Sequence, residues 1–147
     1  MSPTLDADEP DGKAEYMAGD GARPRVLVVD DDRLNREMAA RLLERTGCRV
    51  AAAANGREAV EQLARLSFHV VFMDCVMPVM DGYAATTAIR ALPGERGRTP
   101  IVAMTGGATP EDRARCFAAG MDDYLCKPVR PEQLREAVTR WTRSPNR

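Results

Sequence analysis

The sequence predicts an α/β fold in which a parallel five-stranded sheet is covered by helices on both faces. Short apolar runs, typical of strands buried on both sides, alternate five times with segments whose apolar residues recur at helical spacing. This alternation favours parallel strands, because a helix must carry the chain back before the next strand can run in the same direction. The 147 residues are close to the length of one domain, and 44% of them are apolar. A core can therefore form without disulfides or a structural metal.

The first two strand–helix units follow from an apolar run and two weaker patterns. Val26–Val29 is a continuous apolar strand, and the helix after it is closed by Gly47. Arg49–Ala54 is a second strand that stops at Asn55, and Ala59–Leu66 is a second helix. In the first helix four apolar residues follow at helical spacing: Leu34, Met38, Leu42 and Leu43.

The middle of the chain holds the strongest strand pattern. Phe68–Met73 is a run of strand residues that ends at Asp74, and a third helix covers roughly Tyr83–Leu92. Pro93–Pro100 is a predicted loop, and Ile101–Met104 is the fourth strand.

The last two helices have clear starting signals. Thr109 is a predicted N-cap with Pro110 in the first turn, and this fourth helix runs to Gly120. Tyr124–Cys126 is a short fifth strand, and Pro131 opens the final helix. The predicted inward residues of that helix are Leu134, Ala137, Val138 and Trp141.

Composition divides the chain into a tail and one domain. Residues 1–24 contain six acidic and two basic residues, a charge of −4, and show almost no aliphatic periodicity. We expect a disordered N-terminal tail over 1–24, a folded domain over 25–143 and a short C-terminal tail over 144–147.

Several classes of protein are excluded by what the sequence lacks. The net charge of −1 provides no broad basic field for nucleic acid. No apolar run approaches the ~20 residues of a membrane span, and the acidic start of the chain is unlike a secretory signal. With one histidine and no close cysteine pair, a zinc site is not expected. We expect reduced cysteines and a cytoplasmic location for this chain.

Polar residues collect at the carboxyl ends of the predicted strands. Asp30–Asp32 follow the first strand, Asp74 ends the third, Thr105 the fourth and Lys127 the fifth. Ligands of open α/β sheets bind at this edge, where the strand order reverses. If the first and third strands are neighbours, Asp30, Asp31 and Asp74 converge there.

Converging carboxylates repel one another, so such a site must take up protons or bind a cation. Oxygen ligands without histidine or cysteine favour Mg²⁺. A carboxylate can itself accept a phosphoryl group as an aspartyl phosphate, whose charge Mg²⁺ and Lys127 would neutralise. Each residue alone has a structural explanation: Asp32 fits a helix cap, Thr105 a turn and Lys127 the surface. Four strand ends with complementary chemistry favour a phosphoryl site.

At this point the sequence resembles the receiver domain of two-component response regulators. The matching segments are Val28–Asp32, Met73–Tyr83, Ala103–Thr105, Gly120–Leu125 and Lys127–Pro128. The run from Asp74 to Tyr83, together with Gly120 to Lys127, is especially similar to receivers of hybrid sensor histidine kinases and phosphorelays. The resemblance implies a flavodoxin-like (βα)5 fold with strand order 2-1-3-4-5.

The resemblance also implies a role for each residue of the site. Asp74 would be the phosphoacceptor. Asp31 would bind Mg²⁺ directly, Asp30 mainly through water, and the backbone carbonyl of Val76 would complete the ligand set. In the same way Thr105 and Lys127 would contact the phosphoryl group, Lys127–Pro128 would be a cis peptide, and Tyr124 would be the aromatic switch residue.

Two positions depart from the family pattern. Gly106 and Gly107 stand after Thr105, where the family usually has alanine, and this loosens the loop. The second residue after Asp74 is Val76, which offers no hydrogen bond to an attacking water. We therefore expect slow to intermediate self-dephosphorylation, a lifetime suited to relay onto a histidine.

The phosphoryl donor is expected on another molecule. His69 lies five residues before Asp74, about 16 Å along a strand and on the opposite face, so it cannot serve as donor. The resemblance implies a sensor histidine kinase or a histidine phosphotransfer protein, docked near Leu34 and Pro128. Whether the chain is a free-standing regulator or part of a larger hybrid kinase stays open.

Two other functions fit part of the pattern. An aspartate-nucleophile phosphohydrolase usually carries a second carboxylate where Val76 stands here. A pseudo-receiver that only binds a partner is disfavoured because the site is intact. The expected chemistry is therefore limited to the chain's own phosphorylation and slow dephosphorylation. The intact set is Asp30, Asp31, Asp74, Thr105 and Lys127.

Overall fold

A computed structural model describes residues 23–107 and 109–142. In these residues five strands alternate with five α-helices. The strands are β1 (Arg25–Val29), β2 (Arg49–Ala53), β3 (Val70–Asp74), β4 (Ile101–Thr105) and β5 (Asp123–Cys126). The helices are α1 (Arg33–Arg45), α2 (Gly56–Arg65), α3 (Gly82–Arg90), α4 (Pro110–Ala119) and α5 (Pro131–Thr142). The predicted tails fall outside the described residues, except for Arg23 and Pro24.

All five strands run parallel, in the order β2-β1-β3-β4-β5. The predicted fold class and strand order are confirmed. Because β1 lies between β2 and β3, the chain reverses its winding direction between β1 and β3. Val29 of β1 pairs with Met73 of β3, so the residues that follow these two strands meet at one edge of the sheet.

The apolar strands are buried because helices cover both faces of the sheet. Successive residues of β1, such as Val26 and Leu27, point into different halves of the core. One half packs against α2, α3 and α4, and the other against α1 and α5. The buried strands therefore form a rigid frame under the loops at their carboxyl ends.

The helix starts agree with their sequence signals. Asp32, Asn55, Asp81 and Thr109 each accept a hydrogen bond from a backbone N–H in the first turn of the following helix. None of the helices in the described part of the chain is both long and apolar enough to cross a bilayer.

Two apolar residues of α1 are exposed, and one predicted loop contains a short helix. Leu34 and Met38 are 64% and 61% exposed, because α1 turns Leu43 and its neighbours toward the sheet and leaves these two residues on its flank. The predicted loop Pro93–Pro100 contains a 3-10 helix over Gly94–Arg98. The aligned carbonyls of that turn accept hydrogen bonds from side chains, including Gly97 O from Arg90.

Candidate functional site

Three carboxylates converge where β1 and β3 end. Asp30 directly follows β1, and Asp74 is the last residue of β3. Each of Asp30, Asp31 and Asp74 offers an oxygen within 4.8 Å of the others. Asp30 and Asp74 are buried and Asp31 is exposed, so the cluster opens to solvent on one side. The convergence expected from the strand order is confirmed.

Lys127 supplies a positive charge to this cluster from the loop after β5. Its Nζ lies 3.0 Å from Asp74 Oδ2 and 3.9 Å from Asp30 Oδ2. Burial opposes the charge of Lys127, but the hydrogen bond to Asp74 and the charges of the carboxylates outweigh it and raise the pKa of the ammonium group. Lys127 therefore stays protonated beside Asp74. The Lys127–Pro128 peptide bond is cis, as the resemblance implies.

The surroundings of Asp74 disfavour a negative charge on its carboxyl group. Burial raises the pKa of its carboxyl group above the usual range, and the charge of Asp30 adds to this effect. The hydrogen bond and charge of Lys127 act in the opposite direction without cancelling the rise. A bound divalent cation would favour the ionised form. The oxygen donors of this cluster fit Mg²⁺, a hard cation that needs few protein ligands.

Three hydrogen bonds hold the backbone and the side chain of Asp30. Its backbone N–H donates to Ala53 O at 3.1 Å, and its Oδ1 accepts from Asp32 N at 2.9 Å. Its carbonyl oxygen accepts from Arg36 Nη1 at 2.7 Å. Sequence reasoning missed Arg36, although an arginine one turn after the N-cap Asp32 is placed to reach back to the strand end.

Thr105 is bound to its own loop in this structure. Its hydroxyl accepts from Gly107 N at 3.1 Å and donates to Gly107 O at 3.3 Å. The Asp112 carboxylate fills the space that a Cβ at position 107 would need. This carboxylate is the end of a flexible side chain that can move aside, so the contact does not by itself require glycine at 107.

Val76 and Gly82 frame the loop that follows the phosphoacceptor candidate. Val76 is 78% exposed, and its N–H donates to Asp74 Oδ1 at 3.4 Å. Gly82 donates to Cys75 O at 3.0 Å and lies directly against the backbone of Asp74. Sequence reasoning missed this contact at Gly82.

Tyr124 lies at the side of the site, held by α4. Its hydroxyl accepts from Arg113 Nη1 at 2.9 Å, and its ring meets Phe117 edge-on with centroids 6.2 Å apart. His69 lies at the other end of β3, where its Nδ1 accepts from Arg25 N at 3.1 Å. The structure therefore keeps His69 far from Asp74, in agreement with a structural role.

The arrangement has a counterpart in known proteins. Residues 26–139 match the response regulator receiver domain, and this match covers the five strands described above except for Arg25, the first residue of β1. The chain belongs to the response regulator receiver domain family. It is accordingly a receiver domain of two-component signalling, as its resemblance to that family indicated.

Among curated proteins, the chain is similar to short segments of a sensor protein and of a hybrid signal transduction protein. It is 44% identical over 121 residues to the sensor protein GacS of Pseudomonas syringae pv. syringae, and 81% of the chain is covered. It is 35% identical over 119 residues to the hybrid signal transduction protein dokA of Dictyostelium discoideum, with 81% covered. The matched parts make up only 13% and 7% of those two proteins.

Two solved structures are similar to this chain in both sequence and fold. A receiver domain of a Pseudomonas aeruginosa sensor histidine kinase, crystallised with a magnesium ion coordinated in its active-site cleft, is 40% identical with a TM-score of 0.76. The alignment covers 84% of this chain and all of that domain. The Vibrio cholerae chemotaxis protein CheY4 is 35% identical with a TM-score of 0.76, covering 82% of this chain and 99% of that protein.

Proposed function

We propose that this receiver domain takes a phosphoryl group from a phosphohistidine onto Asp74 in a Mg²⁺-dependent reaction. The observation that carries the proposal is the position of Asp74, with Lys127 Nζ at 3.0 Å and two further carboxylates close by. The domain then changes conformation or relays the phosphoryl group to another histidine. The proposal includes the cytoplasmic location expected from the sequence, with chemistry limited to the domain's own phosphorylation and slow dephosphorylation.

In the transfer, an Asp74 carboxylate oxygen attacks phosphorus, the phosphorus–nitrogen bond breaks and the imidazole leaves. Lys127 remains protonated and offsets the charge on the phosphoryl oxygens. The Thr105 hydroxyl can donate to one of these oxygens once it leaves Gly107. Mg²⁺, when held by Asp30, Asp31, Asp74 and the Val76 carbonyl, supplies positive charge that favours both the ionised acceptor and the phosphoryl group.

We propose that the histidine-bearing partner docks beside this site, in a groove of about 760 Å³ between α1 and α5. Met38 and Leu42 line one wall, and Pro128 and Leu134 the other. Lys127 also lines the groove, and its Nζ lies 3.0 Å from Asp74 Oδ2, which supports docking beside the proposed acceptor. Such an apolar groove fits a helix of a sensor histidine kinase or of a histidine phosphotransfer protein.

The positive charge at one end of the groove indicates which side chains the partner helix carries. Arg41 and Arg45 line its far end, so the partner helix is expected to carry acidic side chains there. The partner sits in the same polypeptide if the chain is part of a hybrid kinase, and in another protein if it is free-standing.

The test is phosphotransfer from a purified, phosphorylated histidine phosphotransfer domain. We expect transfer that needs Mg²⁺ and is lost in Asp74→Asn. Met38→Glu should slow transfer from this donor and leave labelling by acetyl phosphate unchanged, because acetyl phosphate needs no groove. Ala64→Glu, on the exposed face of α2, is the matched control. If Met38→Glu slowed labelling of Asp74 equally from the phosphotransfer domain and from acetyl phosphate, the docking site would be contradicted.

A further inference from the structure

Tyr124 is held from one side by two residues of α4. Arg113 Nη1 donates to the Tyr124 hydroxyl at 2.9 Å, and the same guanidinium lies 5.6 Å from the centre of the ring. Phe117, one turn further along α4, meets the ring edge-on at 85°. Because these residues are four apart, they share one face of the helix. Together they contact both the polar and the apolar part of Tyr124.

The position of Tyr124 connects this contact to Thr105. Tyr124 of β5 pairs with Ala103 of β4, and Thr105 lies two residues further along β4. Residues two apart in a strand face the same side of the sheet. Tyr124 packs partly against the core half that contains Ala103. Thr105 is therefore a diagonal neighbour of Tyr124 on the same face of the sheet, a position within reach of an aromatic side chain.

We propose that Arg113 and Phe117 form a clasp that holds Tyr124 against α4 and stabilises the resting conformation of the domain. The inference rests on the proposed function, because it concerns the equilibrium that phosphorylation of Asp74 shifts. When Thr105 leaves Gly107 for the phosphoryl group, Tyr124 can follow only by losing the Arg113 hydrogen bond and the Phe117 contact. The clasp thus sets how much of the domain is ready to bind a phosphoryl group.

The probe is beryllofluoride, a phosphoryl mimic, titrated in the presence of Mg²⁺ and followed by calorimetry on the full chain. Tyr124→Phe keeps the ring and removes the hydroxyl, and Arg113→Met keeps the aliphatic stem. Each variant should bind beryllofluoride about two- to tenfold more tightly, which is the effect of one lost resting-state hydrogen bond. The double variant should bind no more tightly than either single variant, because both remove the same contact.

Arg115→Met is the matched control. Arg115 lies on the same helix, but its guanidinium sits 4.1 Å from the Tyr83 ring centre, so its loss should leave beryllofluoride affinity unchanged. Unchanged or weaker binding by Tyr124→Phe and Arg113→Met would overturn the clasp. A wild-type protein that does not bind beryllofluoride would instead contradict the proposed function.

Discussion

At the scale of single residues, the site combines charges that repel one another with one lysine that does not balance them. Asp30, Asp31 and Asp74 lie within 4.8 Å, and burial raises the pKa of Asp74 despite the neighbouring Lys127. Water cannot solvate the two buried carboxylates as it does free ones. The site is therefore built to gain stability from a bound cation.

Asp31→Asn should weaken Mg²⁺ binding by at least about tenfold, because one charged ligand of a site with few ligands is lost. The measurement is calorimetric titration of the full chain with MgCl₂. Asp32→Asn is the control, since Asp32 is exposed and caps α1, and asparagine caps equally well. Equal Mg²⁺ affinity in wild type and Asp31→Asn would mean that the ligand set is misplaced.

Val76 should make the phosphorylated state long-lived. It is 78% exposed beside Asp74, and its side chain cannot orient a water for attack on phosphorus. Val76→Asn should shorten the lifetime several-fold, because an amide can position that water. Decay of labelled protein in Mg²⁺ measures this effect, with Val79→Asn, at a valine that is 69% exposed in the same loop, as control. Wild-type decay within seconds, or no acceleration in Val76→Asn, would contradict this account of water positioning.

At the scale of elements, the junction between β3 and α3 controls where Asp74 lies. Gly82 is the first residue of α3, and a Cβ there would collide with the carbonyl oxygen of Asp74. Gly82→Ala should lower the free energy of unfolding by about 1–3 kcal/mol, because the backbone must shift to admit the methyl group. Urea denaturation measures this change.

Gly106→Ala is the control for Gly82→Ala. A Cβ at Gly106 meets nothing within 4 Å, so its stability should change little or rise slightly. Labelling of Asp74 should slow in Gly82→Ala and stay normal in Gly106→Ala. Equal stability of the two variants would show that the close contact at Gly82 is not needed.

The elements could be predicted where one physical signal dominates. Val26–Val29 is apolar at every position because both faces of β1 are buried, and Thr109 and Asp32 cap helices as their side chains suggest. The phase of α1 could not be predicted, since Leu34 and Met38 share the helical spacing of the buried residues. Only the packing of α1 on the sheet decides which face is buried.

The candidate site was predictable to the extent that it follows from strand ends. Parallel strands bring Asp30, Asp74 and Lys127 to one edge whatever their separation in the sequence. Contacts that depend on the path of a side chain were not predictable. Arg36 on the Asp30 carbonyl and Arg113 on the Tyr124 hydroxyl both need a rotamer that only the folded neighbours select.

At the scale of the whole molecule, stability should fall as the solution becomes acidic, in part through His69. Burial and the charges of Arg49 and Arg25 lower the pKa of His69 to about 4 in the folded protein, from an ordinary value of 6.5. Between these two values the unfolded chain binds more protons than the folded one. The free energy of unfolding must therefore decrease as the pH falls through this window.

His69→Asn should flatten this part of the stability profile. Asparagine keeps an acceptor for the Arg25 N–H and does not titrate. Urea denaturation of both proteins between pH 7 and pH 4 gives the two profiles. The wild type should lose more stability than the variant over this interval. Parallel profiles would show that His69 does not contribute to the acid sensitivity.

Asp74 is the expected acceptor of the phosphoryl group. The intact mass of the full chain after incubation with acetyl phosphate, with and without Mg²⁺, tests this directly. We expect wild type to gain the mass of one phosphoryl group only when Mg²⁺ is present, and Asp74→Asn to gain none. Undiminished labelling of Asp74→Asn would contradict Asp74 as the acceptor, and labelling of wild type that is independent of Mg²⁺ would contradict the role of the metal.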